Sequence, residues 1–232
     1  MADTEKRCWL YEDCSRVDCD KPFCIRRYKL DELYSMSLLS DKQRQRIGLQ
    51  VDEDNTDLAE FIKLSEISKN IGSFVANGQN LYLHSSTCGN GKSSWAIRMI
   101  QEYFESIWLE AELGCRAMFI SVPRFLLALK ENITEKNDYV TFIKTHILEA
   151  DLVVWDDIAA KVGTDFELNN LLSLIDSRIA NGKSNIYTSN LNPQEIMSAL
   201  GSRLQSRICN CSIDIELHGK DKRAIFNGGG SK

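Results

Sequence analysis

Between residues 86 and 94 the chain reads Ser86-Thr87-Cys88-Gly89-Asn90-Gly91-Lys92-Ser93-Ser94. A short apolar stretch precedes it and an amphipathic one follows. A phosphate-binding loop has a glycine, four residues, then Gly-Lys-Ser or Gly-Lys-Thr, set between a strand and a helix. Ser86 stands where the first glycine is usual, and the rest conforms. Glycines let successive backbone N–H groups face one concavity, and the following helix puts its positive end beneath the phosphates. In this reading the loop binds ATP. Lys92 neutralises the β- and γ-phosphates, and Ser93 holds Mg²⁺.

Two further stretches end on polar residues. Leu152-Val-Val-Trp155 runs into Asp156-Asp157. A buried strand of an open α/β sheet presents such acids at its C-terminal edge, where ligands bind. Asp156 is expected in the Mg²⁺ shell, and Asp157 is expected to orient or deprotonate the attacking water. Aspartate is shorter than the glutamate many ATPases carry there, which points to slow turnover. Ile186-Tyr-Thr-Ser-Asn190 ends likewise, so that Asn190 is placed to hydrogen-bond the attacking water or the γ-phosphate.

The elements that must position these residues follow from periodicity. Strands are expected at 80–84, 117–122, 152–155, 185–188 and 212–217. Helices are expected at 64–77, 95–112, 123–132, 138–149, 166–180 and 193–208. Short apolar strands alternating with helices predict an α/β fold, a mostly parallel sheet covered on both faces. The expected organisation is a cysteine-rich module at 1–30, a connector at 31–60, an ATPase domain at 61–226 and a mobile tail at 227–232. Within the connector, 40–49 is a basic helix candidate, and the acidic run 52–57 reads as a hinge.

Composition sets limits. The chain has 232 residues, 43% hydrophobic and 26% charged, with a formal net charge of −5. That excludes disorder throughout and a histone-like basic binder. No apolar run reaches about 18 residues, so no membrane partner is expected. The N-terminus is too polar and acidic for a secretory signal, and a cytoplasmic location is expected.

Of the eight cysteines, four lie near the start: Cys8, Cys14, Cys19 and Cys24. In a reducing compartment such a cluster reads as metal binding sooner than as disulfides. Four thiolates suit tetrahedral Zn²⁺. The spacing lacks a Cys-x2-Cys pair, and an iron–sulfur cluster or unmetallated thiols are the alternatives.

Taken in order, STCGNGKS, VPRFLLALK, LVVWDDI, RIANGKSNIYTSNL and LGSRLQSRI resemble a known family. This is the AAA+ ATPase domain of bacterial and phage replicative helicase loaders of the DnaC and DnaI type. Transposition helper ATPases of the IstB type share most of it. The resemblance covers roughly residues 64–226. It implies a P-loop AAA+ fold without a C-terminal helical lid. Arg207 matches an arginine finger that reaches the ATP of a neighbouring subunit, and Arg203, one turn earlier, shares its face. Arg223 matches the sensor-2 arginine of the same subunit. Arg124 and Lys130 lie in the region that contacts single-stranded DNA. The N-terminal module is expected to grip the helicase, and a homo-oligomer is expected to form on ATP binding. The implied function is ATP-dependent loading of a replicative DNA helicase onto single-stranded DNA in replication initiation. The alternatives are an IstB-type helper ATPase and a non-hydrolysing adaptor or inhibitor of a host helicase.

Overall fold

The computed structural model describes residues 10, 14, 23–51, 54–160 and 163–222. The strands β1 (Asn80–His84), β2 (Ala117–Ser121), β3 (Leu152–Asp156), β4 (Ser184–Ser189) and β5 (Ile213–Glu216) form one sheet. Its order is β2-β3-β4-β1-β5, and every pairing is parallel. Parallel strands need crossovers, and helices supply them. Between β1 and β2 lies α5 (Lys92–Ile107); α6 (Val122–Thr134) and α7 (Asp138–His146) join β2 to β3. The β3-to-β4 crossover is α8 (Asp165–Ala180), and α9 (Pro193–Leu200) with α10 (Ser202–Ile208) precedes β5.

Alternate residues of the strands enter two separate cores. Leu81, Leu83, Phe119, Leu152, Val154 and Ile186 pack toward α5 and the N-terminal helices. Tyr82, Met118, Ile120, Val153, Trp155 and Tyr187 pack toward α6 to α10. The central strands are therefore apolar on both faces, as a covered parallel sheet requires.

N-terminal to the sheet are α1 (Ile25–Ser35), α2 (Asp41–Arg44), α3 (Leu58–Lys69) and α4 (Ile71–Ala76). α1 spans the 30/31 boundary drawn from the sequence. It buries Leu30, Leu33 and Tyr34, the last edge-on to Phe104 with centroids 4.9 Å apart. The segment after it covers the edge of β2: Phe119 N–H donates to the Ser37 carbonyl at 2.8 Å. A covered edge cannot recruit another strand.

Some expected helices are shorter or divided. The 64–77 helix begins earlier, at Leu58, and breaks at Asn70, whose side chain donates to the Glu66 carbonyl at 2.9 Å. The 95–112 helix runs Lys92–Ile107. The 193–208 helix divides at Gly201, where φ is +83°. The 40–49 helix is a single turn because the buried Gln101 amide donates to the carbonyls of Gln43 and Gln45, both at 2.9 Å. Those carbonyls are then unavailable to a longer helix. Among the described residues, no helix is long and apolar enough to cross a membrane.

One buried cation organises the edge of the sheet opposite the phosphate loop. Arg178 of α8 is fully buried. Its guanidinium donates to Asn185 Oδ1 at 2.8 Å, to the Ala150 carbonyl at 2.8 Å and to the Ser184 carbonyl at 2.6 Å. It also donates to the Ile147 carbonyl. Burial lowers its pKa to about 10, so it stays charged at neutral pH. Arg178→Met leaves these acceptors without a donor, and the loss should be about 3 kcal/mol or more. Urea unfolding measures it, and a change below about 1 kcal/mol would show that the network is replaceable.

Candidate functional site

The phosphate loop leaves β1 and enters α5 through Gly91. The φ angles of Gly89 (+76°) and Gly91 (+106°) are why glycines stand there. Lys92, the first residue of α5, is buried. Its ammonium donates to the Thr87 carbonyl at 2.9 Å and to Asn90 Oδ1 at 3.2 Å, which holds it inside the curl of the loop. Asn90 in turn donates to Ser85 Oγ at 2.6 Å. Ser86, at the position of the missing glycine, is exposed.

β3 delivers Asp156 beside the start of α5, where the Ser93 hydroxyl bonds its carboxylate. Thr188 on the neighbouring β4 does two things. Its hydroxyl donates to Asp156 Oδ1 at 2.7 Å and accepts from the backbone N–H of Asp157 at 2.9 Å. That second bond holds Asp157 at φ +59°, a left-handed conformation uncommon for an aspartate. The turn aims the Asp157 carboxylate at Asn190, whose amide donates to it at 3.4 Å.

These groups line one cavity of about 590 Å³, within the usual range for a small-molecule site. The sequence-derived residues Cys88, Gly89, Asn90, Gly91, Lys92, Ser93 and Ser94 form its floor. Asp156, Asp157 and Asn190 form a wall. Burial pushes the Asp156 carboxyl above the usual carboxylate range, against the pull of its bonds from Ser93 and Thr188. A hydroxyl and an under-compensated buried carboxylate are hard oxygen donors, and this pair fits Mg²⁺.

The remaining expected residues lie elsewhere. Arg203 and Arg207 are exposed on α10, outside the cavity. Arg207 Nε pairs with Asp176 of α8. Arg124 is exposed, with its guanidinium 4.5 Å from the Tyr139 ring centroid. Lys130 is paired with the buried Glu167 at 3.3 Å. Arg223, Cys8 and Cys19 fall outside the described residues, so the four-cysteine site does too. Cys14 and Cys24 are half-buried free thiols. Among the described residues, no group of three His, Cys, Asp or Glu side chains is placed to hold a metal.

No family model and no curated protein sequence matches the chain. Solved structures do. The DnaC helicase loader superposes with a TM-score of 0.61 at 17% identity, covering 77% of this chain and all (100%) of that one. DnaI gives 0.61 at 18% identity, covering 78% and 96%. The fold is that of the DnaC-type helicase loaders. The replication initiator DnaA, in a structure bound to AMPPCP and single-stranded DNA, also matches, with a TM-score of 0.58 at 18% identity. That match covers 79% of this chain and 52% of DnaA.

Seven residues of the cavity lining carry no motif: Ile47, Gly48, Leu49, Gln50, Trp95, Thr188 and Lys222. Thr188 left a signal, as a polar residue inside the apolar strand Ile186–Tyr187–Thr188. Residues 47–50 left none, because only the folding of the N-terminal segment onto α5 brings them there.

The raised pKa of Asp156 has a consequence for stability. The folded state holds this proton more tightly than the unfolded chain, so the group supports folding below its ordinary pKa of 3.8 and opposes it once ionised. Asp156→Asn should therefore raise the melting temperature of the nucleotide-free protein at pH 7. The gain should vanish as the pH falls toward 4, and calorimetry across that range checks the sign.

Proposed function

We propose that this protein is an AAA+ ATPase that loads a replicative DNA helicase onto single-stranded DNA during replication initiation. The supporting observation is one convergence. Lys92, Ser93, Asp156, Asp157 and Asn190, from three separated stretches of sequence, line a single cavity in a chain with the loader fold.

In this reading ATP lays its triphosphate over the loop. Lys92 exchanges the Thr87 carbonyl and Asn90 for phosphate oxygens, because a charge-assisted bond to phosphate is stronger than one to a neutral carbonyl. Ser93 and Asp156 hold Mg²⁺, which when bound neutralises charge on the β- and γ-phosphates. Asp157 orients the attacking water and takes up its proton, with its carboxylate aimed by the Asn190 amide. Asp157 is held close to β4 by Thr188, and the short side chain reaches less far than a glutamate would. Slow turnover is the expected result.

Arg207 is assigned to the ATP of a neighbouring subunit, with Arg203 beside it. Its exposed position outside its own cavity suits action across an interface, and an ATP-dependent homo-oligomer follows. Arg223, next in sequence to the cavity-lining Lys222, is assigned to the ATP of its own subunit. For single-stranded DNA we favour Arg124 over Lys130, because the Lys130 ammonium is already paired with Glu167. The grip on the helicase is assigned to the cysteine-rich N-terminal residues, with Zn²⁺ on Cys8, Cys14, Cys19 and Cys24; only the sequence supports this part.

Two measurements test the reading. ATP turnover should be weak alone, rise with single-stranded DNA, and vanish in Lys92→Ala. Arg207→Ala should still bind ATP but lose turnover by a factor on the order of 10³. Separately, the purified protein with ATP should place a purified replicative helicase on closed circular single-stranded DNA, scored by unwinding. Stimulation by duplex DNA with a transposase as partner would move the assignment to a transposition helper. No turnover with both DNA and helicase present would move it to a non-hydrolysing adaptor.

A further inference from the structure

The acidic run at 52–57 reads in sequence as a hinge, yet Asp57 does something more definite. Its carboxylate is buried and accepts two consecutive backbone N–H groups, from His218 at 2.7 Å and Gly219 at 2.8 Å. From that clasp the chain runs onto the phosphate loop. The Asn90 amide donates to the Leu217 carbonyl at 3.4 Å. Lys222 N–H donates to the Gly89 carbonyl at 3.0 Å. The Lys222 ammonium reaches the Gln50 carbonyl at 2.9 Å. Asp221 lies so close that a Cβ on Gly89 would come within 1.9 Å of its Oδ1. Residues 217–222 are thus a strap without helix or strand of its own, drawn over the loop that carries Lys92.

We propose that Asp57 is a positioning residue for the nucleotide site, acting by clasping this strap against the phosphate loop. The proposal rests on the ATP reading above. The Gly89 carbonyl is taken up by the Lys222 N–H, so that one acceptor of the loop does not compete with an anion for its N–H concavity. Beyond Leu217, whose N–H still bonds the His84 carbonyl of β1, the strap has no strand ladder, and ordering it costs conformational entropy. A buried, doubly bonded carboxylate offsets that cost before nucleotide arrives. Where the strap is closed in only a fraction of molecules, the apparent Kd rises by the inverse of that fraction.

The test is the Kd of a fluorescent ATP analogue with Mg²⁺, alongside steady-state ATP turnover, on the full-length chain. In Asp57→Asn the side chain keeps its shape but offers one acceptor oxygen to two donors. The expected result is a Kd and KM raised about tenfold with kcat at saturating ATP retained, as for a closed fraction near one tenth. Lys222→Pro removes the N–H that bonds Gly89 without touching the clasp, but it also removes the cavity-lining ammonium. Lys222→Ala, which removes the ammonium alone, is therefore its control, and Lys222→Pro should raise Kd well beyond Lys222→Ala. The double variant should be no weaker than the weaker single, because both act through one strap. Asp54→Asn, which breaks the exposed bridge to Lys220 and keeps one oxygen for the local bonds from Thr56, should change Kd less than twofold. A Kd for Asp57→Asn within twofold of wild type overturns the proposal, as does strict additivity in the double variant. If Asp57→Asn does not fold, Lys222→Pro against Lys222→Ala decides: equal affinity of the two overturns the proposal. Absence of nucleotide binding by the wild type would instead refute the ATP reading.

Discussion

The position of β4 between β1 and β3 is the constraint on which the site depends. β4 sets the strand that carries Asp156 two strand spacings from the strand that feeds the phosphate loop. Inserting β4 opens a crevice at the C-terminal edge, the usual ligand position in open α/β sheets. It also puts a side chain between the two acids and the loop. Thr188 fills that place. Its hydroxyl donates to the Asp156 carboxylate and accepts from the Asp157 backbone. One small group thus fixes both the carboxylate beside Ser93 and the left-handed turn that aims the next one. A valine there would fit the same space but neither donate nor accept, so the geometry depends on the hydroxyl.

The two ends of the sheet carry polar groups for opposite reasons. At the C-terminal edge they line the cavity, where a ligand can claim them. Burial raises the Asp156 carboxyl, and the Lys92 ammonium rests on neutral oxygens that a phosphate outcompetes. At the other edge compensation is thorough. Arg178 donates to four acceptors or more, Trp155 donates to Asn185 Oδ1 at 3.1 Å, and Asn185 donates to Asn80 Oδ1 at 2.9 Å. A satisfied buried network rigidifies its surroundings.

This division explains what was legible in the sequence. Strands and the motif residues at their ends could be read because both are local: the burial pattern and the terminal carboxylates lie within a few residues. Lys92, Asp156, Asp157 and Asn190, each at the end of such a local pattern, line one cavity. Helix ends were read less well where a distant side chain decided them, as Gln101 does for α2. Residues 47–50 and Lys222 were illegible, because their approach to the loop depends on contacts between the two ends of the described chain. Lys130, in the region that the resemblance assigns to single-stranded DNA, pairs with Glu167, which caps α8 through Thr164. Sequence spacing does not reveal such a pairing.

The same reasoning bears on Arg207. Its pairing with Asp176 is on the surface, where an ion pair contributes about 0–1 kcal/mol. An interaction that weak cannot hold the guanidinium against a triphosphate presented by another subunit, with its higher charge and bidentate geometry. In the proposed assembly, Arg207 would exchange Asp176 for a phosphate of the neighbouring subunit. The cost of replacing it is small because both partners remain half in water. A buried partner, such as the one Arg178 has, would have made the exchange prohibitive.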